Sequence, residues 1–226
     1  MVSTVKATPA AAGRRNAASA GAGLGHVRWL GGASGAGKTA IASRVSAMFG
    51  LRRYSTDAAI ARHAAQPGPD APLLCAFLDM SMDERWLRRD AETMFETFPW
   101  FAGERFEHIV EDLRTGARAP VTLAEGFRLL PRLVQPLLDE PWHALWLIAT
   151  PDFRRRTFER RTEAHQFWLR TSAPAAALER LLERDALFAE HVAREARERG
   201  LKVVVVDGER PEAALAAEVA DWFRLR

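Results

Sequence analysis

The chain has 226 residues, 48% of them hydrophobic, which supports a sizeable core in one domain of ordinary size and excludes global disorder. Its formal charge of +3 is modest, and its arginines and acids interleave, which suits a site for anionic ligands better than a dedicated nucleic-acid surface. Cys75 stands alone, so neither an intramolecular disulfide nor a cysteine metal cluster is available, as in a reducing cytoplasm; no run approaches the roughly 18 apolar residues that span a bilayer.

Residues 1–25 are rich in Ala, Gly, Ser and Thr, with Arg14 and Arg15 in the middle, and read as a disordered tail before a domain at 26–226. Val27-Arg28-Trp29-Leu30 is short, apolar and β-prone, predicting a buried first strand over about 27–31. The next eight residues, Gly32-Ala33-Ser34-Gly35-Ala36-Gly37-Lys38-Thr39, fit G-x-x-x-x-G-K-[ST] without exception. Glycines let such a loop curl its N–H groups inward around an anion. Lys38 then reaches the outer phosphates of a nucleotide, and the Thr39 hydroxyl ligates Mg²⁺. Ala40 follows in a helix predicted over about 38–49, where Ile41, Val45 and Met48 share a face and Gly50 stops the chain. The positive end of that helix dipole points at the loop. Only Lys6, Lys38 and Lys202 are lysines among 32 basic residues, so a slim point charge stands at 38 in a chain that otherwise uses arginine.

Leu51–Tyr54 is a weak second strand, and a short helix is predicted over about 57–65, before the loop Gln66-Pro67-Gly68-Pro69-Asp70. Residues 72–115 are helical and aromatic, with Phe77, Trp86, Phe95, Phe98, Trp100, Phe101 and Phe106, and Pro99 divides them into at least two helices. Aromatics at that spacing build a core; they also suit the wall of an acceptor pocket. Val121–Ala124 is a third strand, Pro131 opens a helix over about 130–139, and Ala144–Ala149 is a fourth strand, followed by Thr150-Pro151-Asp152 as the cap of the next helix. Irregular chain over 162–173 separates the basic helix that follows from a long helix at about 174–199. Val203–Val206 is the clearest strand, and Asp207-Gly208 turns into a last helix over about 211–223. Continuous apolar strands alternating with helices predict βαβ units and an α/β fold with a parallel sheet covered on both faces.

Ligands of such sheets bind beyond the carboxyl ends of the strands, so the polar residues there are the candidates. Phosphoryl transfer needs positioning, charge neutralisation and a carboxylate for Mg²⁺. Glu125 ends the third strand and suits the metal-associated acid. Asp57 follows the second strand and suits contact with an acceptor hydroxyl, although it also fits a helix N-cap, and the two roles are interchangeable at this level. Arg154, Arg155, Arg156, Arg160 and Arg161 crowd one and a half helical turns; Arg156 and Arg160 share a face, as do Arg154 and Arg161, and such a cluster suits transition-state charge, with Arg156 and Arg160 the first candidates, the alternative being a solvated face paired with Glu159 and Glu163. Asp207 lies near a nucleotide base or simply forms a turn. None of the six histidines has a metal-ligand spacing.

The combination of GASGAGKT at 32–39, Asp57, EGFR at 125–128, the basic stretch at 154–161 and DGERP at 207–211 resembles the P-loop small-molecule kinases, the group of nucleoside monophosphate, shikimate and gluconate kinases. The resemblance implies a P-loop NTPase three-layer sandwich with strand order 2-3-1-4-5, an acceptor-binding helical insertion (72–115) and a lid (152–173). It implies ATP and Mg²⁺ as cofactors, transfer of the γ-phosphoryl group to a hydroxyl or phosphate of a small molecule, an antibiotic among the candidates, and a phosphate- or acceptor-binding role for Arg128, which stands where adenylate kinases carry the arginine of D-G-F-P-R; composition and hydropathy point to neither a membrane nor a nucleic-acid partner. It favours Asp57 for the acceptor. A nucleotide-driven ATPase switch is the rival reading, as is an RNA-binding protein using its arginines. Guanine-specific switches carry Asn-Lys-x-Asp, and the single asparagine here is Asn16.

Overall fold

The computed structural model describes residues 23–65, 68–116, 120–162 and 165–226. The predicted tail lies outside the described residues as far as 22. Its last three residues belong to the fold instead: Leu24 is buried, and its carbonyl accepts from the Val27 N–H at 2.8 Å.

Five strands form the centre: β1 (Val27–Gly32), β2 (Arg52–Ser55), β3 (Thr122–Glu125), β4 (Ala144–Ala149) and β5 (Lys202–Val206). They run parallel in the order β2-β3-β1-β4-β5. The register pairs Glu125 with both Leu30 and Ser55, so the loops after β1, β2 and β3 leave the sheet at one edge. The helices, in chain order, are α1 (Lys38–Phe49), α2 (Ile60–Ala64), α3 (Pro72–Asp79), α4 (Met82–Trp86), α5 (Ala91–Glu96), α6 (Pro99–Ala102), α7 (Phe106–Thr115), α8 (Pro131–Val134), α9 (Pro151–Glu159), α10 (Pro174–Glu198) and α11 (Glu212–Trp222).

Helices cover both faces. On one, Leu30, Leu123, Leu145, Leu147, Val204 and Val206 pack against Ile41 and Val45 of α1 and Leu215 and Val219 of α11. On the other, Trp29, Tyr54, Trp146 and Ile148 pack beneath α10 and the aromatic residues of α3 to α7. β1 and β4 are buried at every position, which is why they read as unbroken apolar runs. Trp146 on β4 also donates its indole N–H to the Leu129 carbonyl at 2.8 Å, tying the loop after β3 to the sheet.

Two elements differ from their predicted form, and a third, expected as at least two helices, is more finely divided. The helix expected from 57 starts at Ile60, because Thr56–Ala59 is a turn closed by the Ile60 N–H on the Asp57 carbonyl at 3.2 Å. The segment 72–115 divides into five helices, stopped and restarted by local caps: Ser81 with Glu84 forms a capping box, the Asp90 side chain caps α5, and Pro99 opens α6 at a position that needs no N–H donor. The helix predicted over 130–139 narrows after α8 to a 3₁₀ turn at Gln135–Leu137, since Pro136 has no N–H to continue the ladder. Phe77, Trp86, Phe98, Trp100 and Phe101 are buried core, while Phe95 and Phe106 are partly buried. No helix among the described residues is long and apolar enough to cross a membrane.

Candidate active site

The loop between β1 and α1 has the backbone its glycines permit. Gly32 has φ +127°, and a Cβ there would lie 2.0 Å from the Leu147 carbonyl oxygen; Gly35 and Gly37 have φ +79° and +76°. Ala33 and Ala36 are buried, whereas Ser34, Gly35 and Gly37 are half-buried and Ala40 is exposed. Lys38 begins α1 with its side chain only 6% exposed, folded back so that Nζ donates to the Ala33 carbonyl at 2.8 Å. Burial pulls the ammonium pKa down; the carboxylates of Asp57, Glu125 and Asp185 oppose that and the Arg161 charge adds to it. An ammonium desolvated among acids at the mouth of an amide cradle gains from any polyphosphate placed there.

Glu125 ends β3 fully buried. Its carboxylate accepts from the Thr39 hydroxyl, with Oε2 at 3.2 Å and Oε1 at 3.4 Å. Burial raises its pKa and the Asp57 charge raises it further, against Lys38 and hydrogen bonds from Ser55 and Thr39. Hydroxyl and carboxylate oxygens thus meet beside the loop, the hard-oxygen donor set that Mg²⁺ takes while keeping waters and phosphate oxygens. The residues fit the ion.

Asp57 is exposed on the turn after β2, its Oδ1 accepting from the Thr56 hydroxyl at 3.2 Å. It does not cap α2, whose N-cap is Ala59 with no side-chain hydrogen bond. Gly126, at φ +146°, lets β3 pass close by: a Cβ there would sit 1.8 Å from Thr56 Oγ1 and 3.0 Å from Asp57 Oδ1. The two acids proposed to share the chemistry are therefore brought to one place, one buried on the loop side and one facing outward.

Arg128 is buried and fully engaged. Nη1 donates to His63 Nδ1 at 2.9 Å and to the Thr56 carbonyl at 3.4 Å, Nη2 to the Arg105 carbonyl at 3.0 Å, and the guanidinium lies over Trp100 at 4.4 Å. Burial lowers its pKa to about 10. Because an arginine only donates, His63 Nδ1 accepts and its Nε2–H donates to Asp112 at 2.9 Å. Asp112 also accepts from Tyr54 at 2.5 Å and from both Arg62 nitrogens at 2.8 and 2.7 Å. Arg128 is the inner end of this network, three hydrogen bonds from the exposed guanidinium of Arg62.

The basic helix α9 sorts its arginines by phase. Arg155 forms a two-pronged pair with Glu179, both bonds 2.7 Å. Arg156 donates to the Asp207 carbonyl at 3.1 Å and lies beside Phe153; Arg160 is exposed at the C-cap. Asp207 forms a turn by accepting from the Glu209 N–H at 3.0 Å. Arg154 and Arg161 instead flank buried Phe158. Arg154 donates to the Ala149 carbonyl at 3.2 Å and its stem packs over Gly35, while Arg161 lies 3.8 Å above the Phe158 ring. Burial lowers the pKa of both, with Asp185 opposing. Arg161 acts electrostatically on Lys38 and the Arg154 stem packs over Gly35, so Arg154 and Arg161, the latter just past the end of α9, are the arginines beside the loop, while Arg156 turns to Asp207.

Sequence reasoning passed over Arg184 and Asp185 on α10, both buried, with Asp185 in electrostatic range of Lys38, Arg154 and Arg161. A signal existed: Leu181, Phe188 and Val192 mark the apolar stripe of α10, and Asp185 falls on it.

No protein-family model and no curated protein matches the sequence. Solved structures similar in chain layout include a shikimate kinase from Acinetobacter baumannii in complex with shikimate, 16% identical over 86% of this chain and 90% of that one, with a TM-score of 0.47. A sugar kinase from Janibacter sp. is 19% identical over 88% and 94%, TM-score 0.45. A gluconokinase from Sinorhizobium meliloti is 14% identical over 88% and 91%, TM-score 0.41. The fold assignment rests on the observed strand order, and the roles below rest on the site's own geometry.

Proposed function

We propose that the protein is an ATP- and Mg²⁺-dependent phosphotransferase that moves the γ-phosphoryl group to a hydroxyl of a small molecule. The observation that carries this reading is the meeting of Lys38, the Thr39–Glu125 contact and uncapped Asp57 at the carboxyl edge of the sheet. The amides of Gly32 to Thr39 and the Lys38 ammonium hold the polyphosphate. Thr39 and Glu125 would hold Mg²⁺, which would supply charge neutralisation to the phosphates. Asp57 accepts the proton of the acceptor hydroxyl as its oxygen bonds to the γ-phosphorus; the bond from that phosphorus to the β-bridging oxygen breaks, and ADP leaves. Arg154 and Arg161 neutralise the equatorial oxygens, and Arg156 with Asp207 borders the base.

The test is an ADP-release assay with ATP and Mg²⁺ across sugars, hydroxy acids, nucleoside monophosphates and hydroxylated antibiotics, beside calorimetry for nucleotide binding. Acceptor-dependent ADP release is expected. Hydrolysis that no small molecule stimulates but a protein does would favour the switch, and failure to bind either ATP or GTP in the presence of Mg²⁺ would refute both.

A further inference from the structure

The aim of the Asp57 carboxylate is set by the peptide before it. Asp57 is exposed and caps no helix, and its Oδ1 takes a bond from the neighbouring Thr56 hydroxyl at 3.2 Å. The Thr56–Asp57 peptide is planar, so the direction of its carbonyl also sets the direction of the Asp57 N–H and Cα. Thr56 is fully buried; its N–H donates to the Glu125 carbonyl at 2.9 Å, and its carbonyl accepts from Arg128 Nη1 at 3.4 Å. That last bond is long, but its donor is firmly held. The same Nη1 donates to His63 Nδ1 at 2.9 Å, Nη2 donates to the Arg105 carbonyl at 3.0 Å, and the guanidinium lies 4.4 Å over Trp100. His63, only 4% exposed, is held in turn by Asp112 at 2.9 Å, which Tyr54 of β2 and Arg62 of α2 also grip. The hydrogen-bond partners of Arg128 are thus a neutral imidazole and two carbonyls, so a charge is buried without a carboxylate to offset its desolvation. Apolar packing would fill that volume at lower cost, and what the guanidinium adds is geometry.

We propose that Arg128 and His63 are positioning residues of the phosphotransferase: His63 aims the Arg128 fork, and Arg128 holds the Thr56 carbonyl so that Asp57 faces the acceptor hydroxyl. The inference rests on the phosphotransferase reading. The held turn lies against the end of β3, where a Cβ on Gly126, next to Glu125, would sit 3.0 Å from Asp57 Oδ1. Arg128 itself is 2% exposed and both its terminal nitrogens bond to the protein, so it acts through Asp57 and not by touching a phosphate of the acceptor.

The experiment measures ADP release by the full chain with ATP and Mg²⁺ and, in separate arms, glucose, gluconate, shikimate, AMP and water alone. Arg128→Met keeps the stem over Trp100 and removes the fork. In the fastest arm its kcat is expected to fall by about 100-fold, the scale of a 1 Å misplacement at the reacting centre, with the acceptor KM and the ATP-dependent rise in melting midpoint unchanged. His63→Leu is expected to show a similar fall. His63→Gln, whose amide oxygen accepts from Arg128 while its NH₂ donates to Asp112, is expected to recover most of it. A cycle with Asp57→Asn separates positioning from general loss of stability: in that background Arg128→Met is expected to cost little more, because the group it aims is already gone. Should Arg128→Met not fold, the cycle is run with His63→Leu. Additive losses in the cycle, a raised KM with kcat kept, full activity of Arg128→Met, or failure of His63→Gln to recover what His63→Leu loses would each overturn the proposal. A parent that releases no ADP in any arm would refute the phosphotransferase reading, and the proposal with it, before any variant is compared.

Discussion

Replacing Lys38 by Met tests the nucleotide site without any knowledge of the acceptor. The substitution keeps most of the buried stem and removes the charge. Two effects on the empty protein oppose each other: the cost of burying an ammonium disappears, but Asp57, Glu125 and Asp185 lose a counter-charge and Ala33 loses its hydrogen bond. The unliganded melting midpoint therefore moves little. Ligand binding behaves differently. At a free nucleotide concentration of about 100 times Kd, linkage stabilises a protein by about 2.7 kcal/mol. For a domain of this size that is a rise of roughly 5–11 °C. Losing one preorganised charge at the phosphates costs on the order of 10²–10³, which brings the same concentration to Kd or below. The stabilisation then shrinks to about 0.4 kcal/mol or less, roughly 1 °C. A thermal melt with and without ATP and Mg²⁺ reads the difference directly. If Lys38→Met kept the parent's full ATP-dependent rise, the loop would not be holding phosphate through Lys38.

Glu125→Gln should lower kcat/KM by about 10²–10³ by removing the metal-associated carboxylate, measured by ADP release. The folded pKa of Glu125 is raised, so the folded state retains its proton longer than the unfolded chain, and stability from this group is lost as pH rises above the ordinary carboxylate range. Glu125→Gln is therefore expected to melt higher than the parent near neutrality and to converge with it in acid. Asp112 behaves oppositely: hydrogen bonds from Arg62, Tyr54 and His63 hold its carboxyl well below its usual range. Its contribution is present above that range and lost as pH falls through it, and Asp112→Asn should cost about 2 kcal/mol near neutrality by chemical denaturation. Asp57→Asn, at an exposed turn residue, should leave the melting midpoint and the ATP-dependent rise unchanged while lowering kcat by about 10²–10⁴. A variant that kept full activity would remove Asp57 from the proton transfer.

The parts of the site legible in the sequence are those whose chemistry is local. The glycine loop, Lys38 and Thr39 lie within eight residues, and the apolar runs before Asp57 and Glu125 mark both as strand ends. What was not legible depends on helix phase and long-range burial. On α9 the informative mark was Phe158: Arg154 and Arg161 sit four and three residues from it and are drawn inward with it, while Arg156 and Arg160 face away. On α10 the apolar stripe of Leu181, Phe188 and Val192 marks Asp185, but nothing in the sequence separates Arg184 from Arg180 or Glu183; it is the aromatic insertion packing over that side that buries it. The insertion read as at least two helices divided at Pro99; the further breaks at Ser81 and Asp90 come from capping bonds that apolar spacing alone does not mark.

Lys38 and Glu125 are best understood as one unit. Each is buried, each carries a charge that burial disfavours, and each lowers the other's cost. A polyphosphate entering the loop favours the ammonium and disfavours the carboxylate beside it. Glu125 keeps its charge in that complex only where positive charge accompanies the nucleotide, and it already touches the Thr39 hydroxyl at 3.2 Å, the oxygen pair suited to a divalent cation. If the proposed function holds, nucleotide and Mg²⁺ assist each other's binding through this one side chain, and by linkage the assistance is mutual. Gln at 125 carries no charge to be disfavoured, so on that reading Glu125→Gln weakens the coupling of the two ligands: calorimetry should show ATP affinity depending less on Mg²⁺ than in the parent, and an unchanged Mg²⁺ dependence would refute the coupling.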